Sequence, residues 1–376
     1  MPVLLVGMLA MLLCGCRESA RPDFALKSET ANEQAVESDL QTAGAASDVM
    51  EVHFIDVGQS DSTLIVNGEH AMLIDAGEND KGTMVQDYLK EQGVESLDYL
   101  VLTHTDSDHI GGADVIITKL DVDTVFMGDY EKDNKTYQDV MDALEDRGLE
   151  WSTPSVGSVY QLGDAGFTVI APNEVYEECN NTSIGLLVEK GEIGFLFTGD
   201  AYSEVEQDIV RNSKEMEFSI EAEVYHVGHH GSASSSSTVF LEAVQPVYGV
   251  ISCGADNPYG YPHVEPLDAL RERGIQVLRT DEQGSIIATT DGTSITWSHT
   301  PSETWKRGSL AEAEENTWEA EQVGEVTFIC NINTGRFHLP DCPSVKDMAG
   351  KNRRATNEAR EALISQGYTA CNQCRP

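Results

Sequence analysis

The segment Leu102-Thr103-His104-Thr105-Asp106-Ser107-Asp108-His109-Ile110-Gly111-Gly112 carries two imidazoles and two carboxylates within six residues. Nitrogen and oxygen donors at that density suit a bound Zn²⁺ or Mn²⁺ better than Ca²⁺ or a thiolate-held metal. Such donors need a rigid mount. Tyr99-Leu100-Val101-Leu102 reads as a short buried strand, which puts the cluster at a strand's C-terminal end, where the loops of layered α/β folds carry chemistry. Gly111 and Gly112 predict a tight backbone turn beside the ion, ahead of a helix. The isolated His53 and His70 read as strand or turn residues and stay outside the ligand set.

The surrounding elements follow from periodicity. Val52–Gly58, Ser62–Val66 and Ala71–Gly77 are β-rich runs parted by Gly and polar turns, a meander that opens a sheet. A helix over Met84–Gln92, a helix over Ala113–Lys119 and a strand over Thr124–Met127 bracket the His/Asp cluster. Further strands are expected at Phe167–Ala171, Ile184–Glu189, Phe195–Thr198, Ala222–Val227, Val247–Ser252, Val277–Thr280 and Ser285–Ala288. Helices are expected at Glu204–Arg211, Thr238–Ala243 and Pro266–Arg273. The class is α/β. A four-layer αββα sandwich accommodates this order, and the pattern alone is also compatible with other α/β arrangements.

The chain has 376 residues, 40% of them apolar, and a formal net charge of −40. That balance excludes a surface that attracts nucleic acid or anionic lipid everywhere, so any polyanion contact must be local. The apolar run Val3–Leu13 is too short to span a bilayer, and with Leu13-Cys14-Gly15-Cys16 it resembles a bacterial lipoprotein leader with Cys16 as the lipidated residue, although no Lys or Arg precedes Cys16. The expected organisation is a signal peptide at 1–16, an acidic tether at 17–49, a main α/β domain at 50–300, a linker at 301–324 with a helix near Leu310–Glu321, and a small metal-binding module at 325–376. The product would be an exported lipoprotein facing outward, anchored to the membrane through Cys16.

His104-x-Asp106-x-Asp108-His109-x-Gly111-Gly112 resembles the metal motif of the metallo-β-lactamase superfamily, and more narrowly the hydrolase domain of ComEC-type competence proteins. Phe54-Ile55-Asp56-Val57-Gly58-Gln59 with Asp61, Asn181-x-Ser183, Phe197-Thr198-Gly199-Asp200, Gly228-His229-His230-Gly231-Ser232 and Asn257-x-Tyr259-Gly260-Tyr261-Pro262-His263 match later or flanking elements of that family in order. Ser60 stands where the family has Gly, His226 where it has Lys, and Tyr261 where it has His. The resemblance implies the αββα sandwich and two divalent ions, Zn²⁺ or Mn²⁺, roughly 3.5–4 Å apart, activating water. It further implies His104 and Asp106 on one ion, Asp108 and His109 on the other, Asp200 bridging, and His229 or His230 completing a site. Adjacent residues of an extended segment point opposite ways, so one of that pair is expected to coordinate. Asn181 is a weaker ligand candidate. Ser232 with amides around Gly231 could bind a phosphate oxygen, Asp56 or Asp61 could orient His104 or a loop, and His263 is the candidate for the role of the imidazole that Tyr261 replaces.

The C-terminal run Phe337-His338-x-x-x-Cys342 with Cys371-x-x-Cys374 resembles the small metal-binding domain of Ada-type repair proteins. His338, Cys342, Cys371 and Cys374 could close a tetrahedral structural zinc site, with Cys330 a competing ligand and disulfide pairing the alternative. Lys351, Arg353 and Arg354 could form a phosphate-contacting patch or a solvated helix start. Cys179 and Cys253 read as buried thiols. The leading function is a metal-dependent phosphodiesterase or nuclease acting on extracellular DNA. Hydrolysis of another ester or lactam, and a non-catalytic DNA- or partner-binding role in DNA uptake, compete with it. No protein partner can be inferred.

Overall fold

The computed structural model describes residues 49–308 and, C-terminal to them, 328–331, 336–340, 342–346, 348, 353–356, 360–365, 368–371 and 374. Cys16, the tether before residue 49, the helix expected near Leu310–Glu321, and Lys351 lie outside the described residues.

The first sheet opens as the expected antiparallel meander of β1 (Met50–Phe54), β2 (Thr63–Asn67) and β3 (His70–Ile74). It continues in parallel: α1 (Gly82–Glu91) leads to β4 (Ser96–Leu102), α2 (Ser107–Ile110) and α3 (Ala113–Lys119) to β5 (Asp121–Met127), and α4 (Lys135–Arg147) to β6 (Trp151–Ser152). The second sheet begins antiparallel with β7 (Val159–Leu162), β8 (Ala165–Ala171), β9 (Gly185–Lys190) and β10 (Ile193–Phe197). It then runs parallel through α5 (Ser203–Glu215), β11 (Val224–His226), α6 (Thr238–Val244), β12 (Tyr248–Ile251), α7 (Val264–Glu272) and β13 (Gln276–Arg279). After α8 (Thr280–Gln283), β14 (Ile286–Thr290) and β15 (Ile295–Trp297) return to the first sheet, where β14 pairs with β1. Strand orders are β15-β14-β1-β2-β3-β4-β5-β6 and β13-β12-β11-β10-β9-β8-β7.

Period-two alternation explains the layers. In β4, Val101 joins Phe54, Phe126, Phe167 and Phe197 in the core between the sheets, while Leu100 and Leu102 face outward onto Val85, Leu89, Ile116 and Val140 of α1, α3 and α4. In β10, Phe195 and Phe197 point to the inner core, and Leu196 packs with Val205, Ile209, Phe240 and Leu267 of α5, α6 and α7. Strands buried on both faces read as near-continuous apolar runs, as these do. The result is a four-layer αββα sandwich.

Helix α4 and strand β7 were not among the expected elements. The signals for α4 are local: the Asn134 side chain accepts a hydrogen bond from the Tyr137 amide at 2.8 Å, and Gly148 ends the helix at φ 65°. The C-terminal residues form a smaller sheet in the order β18-β16-β17-β19, from β16 (Phe328–Asn331), β17 (Arg336–His338), β18 (Arg353–Thr356) and β19 (Thr369–Ala370), with α9 (Pro343–Lys346) and α10 (Arg360–Ser365). Among the described residues no helix is long and apolar enough to cross a membrane.

Candidate metal centre

Strand ends from both sheets deliver the polar residues. Asp75 follows β3, His104 to His109 follow β4, Asp200 follows β10, and His229 and His230 follow β11. Asp108, His109, Asp200 and His230 place one ligand atom each within 4.8 Å of one another. On the other side of Asp200, its Oδ2 lies 4.0 Å from His104 Nε2 and 3.4 Å from His229 Nε2, and His104 Nε2 lies 3.8 Å from Asp106 Oδ2. Asp200 is thus the carboxylate common to both groups.

Each histidine is oriented by its far nitrogen. His104 Nδ1 donates to Thr103 Oγ1 at 3.2 Å, His109 Nδ1 to Asp75 at 2.8 Å, His229 Nδ1 to Ser234 Oγ at 2.9 Å and His230 Nδ1 to the Ser252 carbonyl at 3.1 Å. A protonated Nδ1 leaves the Nε2 lone pair for a cation, the arrangement that fixes metal-ligating histidines. The buried Nε2 atoms of His104 and His109 and Oδ1 of Asp200 have no hydrogen-bond partner, a costly arrangement unless an ion satisfies them.

The electrostatics agree. Burial and the nearby His109 push the His104 imidazole down to about 4. Burial opposes charge on His109 and His230 too, yet the carboxylates of Asp200, Asp75 and Asp108 around the first, and of Asp200, Asp61 and Asp108 around the second, hold both well above the ordinary histidine value. Burial would raise Asp108, but His109 and His230 hold its carboxyl at about 2. This volume favours positive charge, which divalent ions at the Nε2 atoms would provide. The donor set, imidazole nitrogens and carboxylate oxygens without sulfur, fits such ions.

Several expected roles are reassigned by geometry. His229 and His230 both turn toward Asp200 because neither is extended: their φ angles are 52° and 54°, the left-handed region that non-glycine residues rarely adopt. Asn181 uses its side chain elsewhere, donating to Glu204 and accepting from the Tyr202 amide at 3.0 Å, so it clamps the loop after Asp200. The Gly231 and Ser232 amides donate to the carbonyls of Gly228 and His229, and Ser232 Oγ accepts from the Ser234 hydroxyl, so these groups are engaged within the loop itself. His263 bridges two loops, Nδ1 accepting from the Ala233 amide at 3.0 Å and Nε2 donating to the Tyr259 carbonyl at 3.2 Å. Asp56 caps its own turn through Gly58, while Asp61 lies 3.3 Å from His230 Nδ1, supporting that ring rather than His104. Gly111 and Gly112 have negative φ; they are required because a Cβ would strike the backbone of Asn79 and of Ala76 and Gly82.

Three contacts had not been anticipated. Asp75 anchors His109 and Thr103 together, and its strand-end position, like that of His104, was the signal for it. The Lys132 ammonium contacts Asp106, from a polar loop that carries no sequence signal. The Tyr261 hydroxyl lies 3.3 Å from His229 Nε2, and burial pushes it up to about 12, which keeps it a proton donor.

In the C-terminal sheet, His338, Cys342, Cys371 and Cys374 bring one ligand atom each within 4.8 Å of one another, and His338 Nδ1 is buried without a hydrogen-bond partner. Cys330 is not in this group. Its side chain packs with Phe328, Phe337 and Leu363. No disulfide forms among the described cysteines. Cys179 and Cys253 are buried, as expected. The Arg354 guanidinium lies over the Tyr368 ring at 5.4 Å.

The description "Metallo-beta-lactamase superfamily" matches residues 55–255. The chain is 33% identical over 265 residues to ComE operon protein 3 of Bacillus subtilis (strain 168), covering 63% of this chain and 32% of that protein. It is 29% identical to Recombination protein 2 of Haemophilus influenzae, covering 63% and 28%, and 33% identical to Competence protein ComA of Neisseria gonorrhoeae, covering 61% and 31%. The chain therefore spans less than a third of the length of these relatives. The matched region contains His104, Asp106, Asp108, His109, Asp200, His229 and His230, the side chains that gather around Asp200. The chain belongs to the metallo-beta-lactamase superfamily.

Proposed function

We propose that this chain is an exported, lipid-anchored, metal-dependent phosphodiesterase that acts on DNA. The observation that carries the reading is the set of four imidazoles whose Nδ1 atoms are held by Thr103, Asp75, Ser234 and Ser252 while their Nε2 atoms face shared carboxylates. His104, Asp106 and His229 on one side of Asp200, and Asp108, His109 and His230 on the other, are the residues that would hold two ions. Divalent ions there supply charge and Lewis acidity for attack of water on a phosphodiester.

The rest is done by the chain itself. Asp75 and Asp61 orient imidazoles and keep their Nδ1 protons in place. The Tyr261 hydroxyl is a donor at the edge of the centre, able to hydrogen-bond a phosphate oxygen where a protonated imidazole would otherwise serve. Lys132 places an ammonium beside Asp106, adding positive charge for an anionic substrate. With a net charge of −40, such local cations are what a polyanion requires. Names of the relatives, competence and recombination proteins, favour DNA over a lactam, and the lipoprotein-like leader ending at Cys16 favours an outward-facing anchor. In the C-terminal module a structural Zn²⁺ held by His338, Cys342, Cys371 and Cys374 would staple a sheet too small to be stable alone.

A substrate panel tests the proposal: single-stranded and duplex DNA, a β-lactam and a lactone, each with Mn²⁺, Zn²⁺ or Mg²⁺ and after chelation. Metal-dependent cleavage of DNA is expected. Turnover of the lactam or lactone with no cleavage of DNA would move the chain to another hydrolase chemistry.

A further inference from the structure

We infer that the groove beside the metal centre seats one unstacked base of a single-stranded nucleic acid on the ring of Tyr259. The inference rests on the phosphodiesterase reading and gives it a strand preference. Tyr259 is 55% exposed. Its ring stacks on Tyr261 at 5.3 Å between centroids and 18° between planes, and Tyr261 in turn reaches His229 through its hydroxyl. An aromatic ring packed on one face and solvated on the other, two ring contacts from the centre, has the form of a stacking platform.

The platform is ordered in advance. Asn257 Oδ1 accepts from the Tyr259 amide at 3.1 Å and the Tyr261 amide at 2.9 Å, while its Nδ2 donates to the carbonyls of Gly254 and Tyr261. His263 donates to the Tyr259 carbonyl and ties it to Ala233 of the loop that carries His229 and His230. A ligand seated here orders little that is not ordered already. The groove has a volume of about 680 Å³, and its walls include Ala233, Gly260, His263, Glu265 and Arg307. On a chain this acidic, an exposed Arg307 beside an exposed tyrosine marks a place for a phosphate next to a π-face, with Glu265 the one opposing charge in the wall. Stacking on an aromatic ring tolerates any base and requires that the base be unpaired, which a duplex does not offer.

The test compares KM for a short single-stranded oligothymidylate with KM for bis-p-nitrophenyl phosphate, which has no base, in the full chain and in Tyr259→Ala and Tyr259→Phe. The ratio of the two KM values is expected to rise roughly tenfold or more in Tyr259→Ala and to return to the wild-type value in Tyr259→Phe. An unchanged ratio in Tyr259→Ala, or an equal rise in Tyr259→Phe, overturns the platform and leaves the phosphodiesterase reading standing. Should the wild type hydrolyse neither compound, that reading fails. The platform is then judged by fluorescence of a 2-aminopurine oligonucleotide with chelated protein: quenching by wild type and not by Tyr259→Ala supports it, and no quenching by wild type overturns it.

Discussion

The centre around Asp200 and the cysteine cluster around Cys371 both gather metal donors, and they do so in opposite ways. The first takes oxygen and nitrogen from strand ends of two large sheets, shares one carboxylate between two groups, and fixes every imidazole through a second hydrogen bond. The second takes three sulfurs and one nitrogen from a four-stranded sheet with a small core. A sandwich with three large apolar clusters has a core of its own, so a metal held at its centre would be free to serve chemistry. The described residues of the small sheet form only two small apolar clusters, so a metal held there would serve the fold.

Substitutions should separate the two. Asp200→Ala removes the shared carboxylate and should lower metal affinity of the centre and phosphodiester turnover by more than ~100-fold, beyond the usual effect of an outer supporting residue. Metal content by plasma mass spectrometry should keep the cysteine-bound ion in that variant. Cys371→Ser should give the reverse pattern: with one of three thiolates gone, the module should lose part of a zinc-binding free energy on the order of 10 kcal/mol, read as a weaker, shifted thiolate-to-Co²⁺ absorption band and a higher Co²⁺ midpoint, with turnover of bis-p-nitrophenyl phosphate kept. Asp75→Asn spares every ligand but loosens His109 and, through Thr103, His104. A fall of about 10–100-fold in metal affinity, followed by calorimetric titration, would locate the tuning in this residue. Lys132→Ala has the smallest expected effect. It removes an ammonium that competes for Asp106 across a partly exposed contact, so affinity for the ion on the His104 side should rise by up to about 1 kcal/mol in the same titration.

Much of this could be read from residues because burial on both faces of a strand forces long apolar runs, and those runs located the main strands and the loops that follow them. What could not be read depended on backbone conformation or on distance in sequence. The left-handed φ of His229 and His230 makes two neighbours converge where an extended segment would part them. The hydroxyl of Tyr261 and the ammonium of Lys132 arrive from loops with no periodic signal. Strand β14 joins the first sheet by pairing with β1, far from it in sequence, and β15 adds beyond β14, a register that only tertiary packing selects. Helix α4 is a different case: its Asn134 cap and Gly148 stop are local signals carried by the sequence itself.

The most direct measurement is hydrolysis of bis-p-nitrophenyl phosphate by the chelated full chain titrated with Mn²⁺, beside Asp108→Ala. Saturable recovery in the wild type, and none in the variant over the same range, is the predicted result. Activity that is indifferent to Asp108→Ala, or a wild type that binds metal at this centre and hydrolyses no phosphodiester, would contradict it.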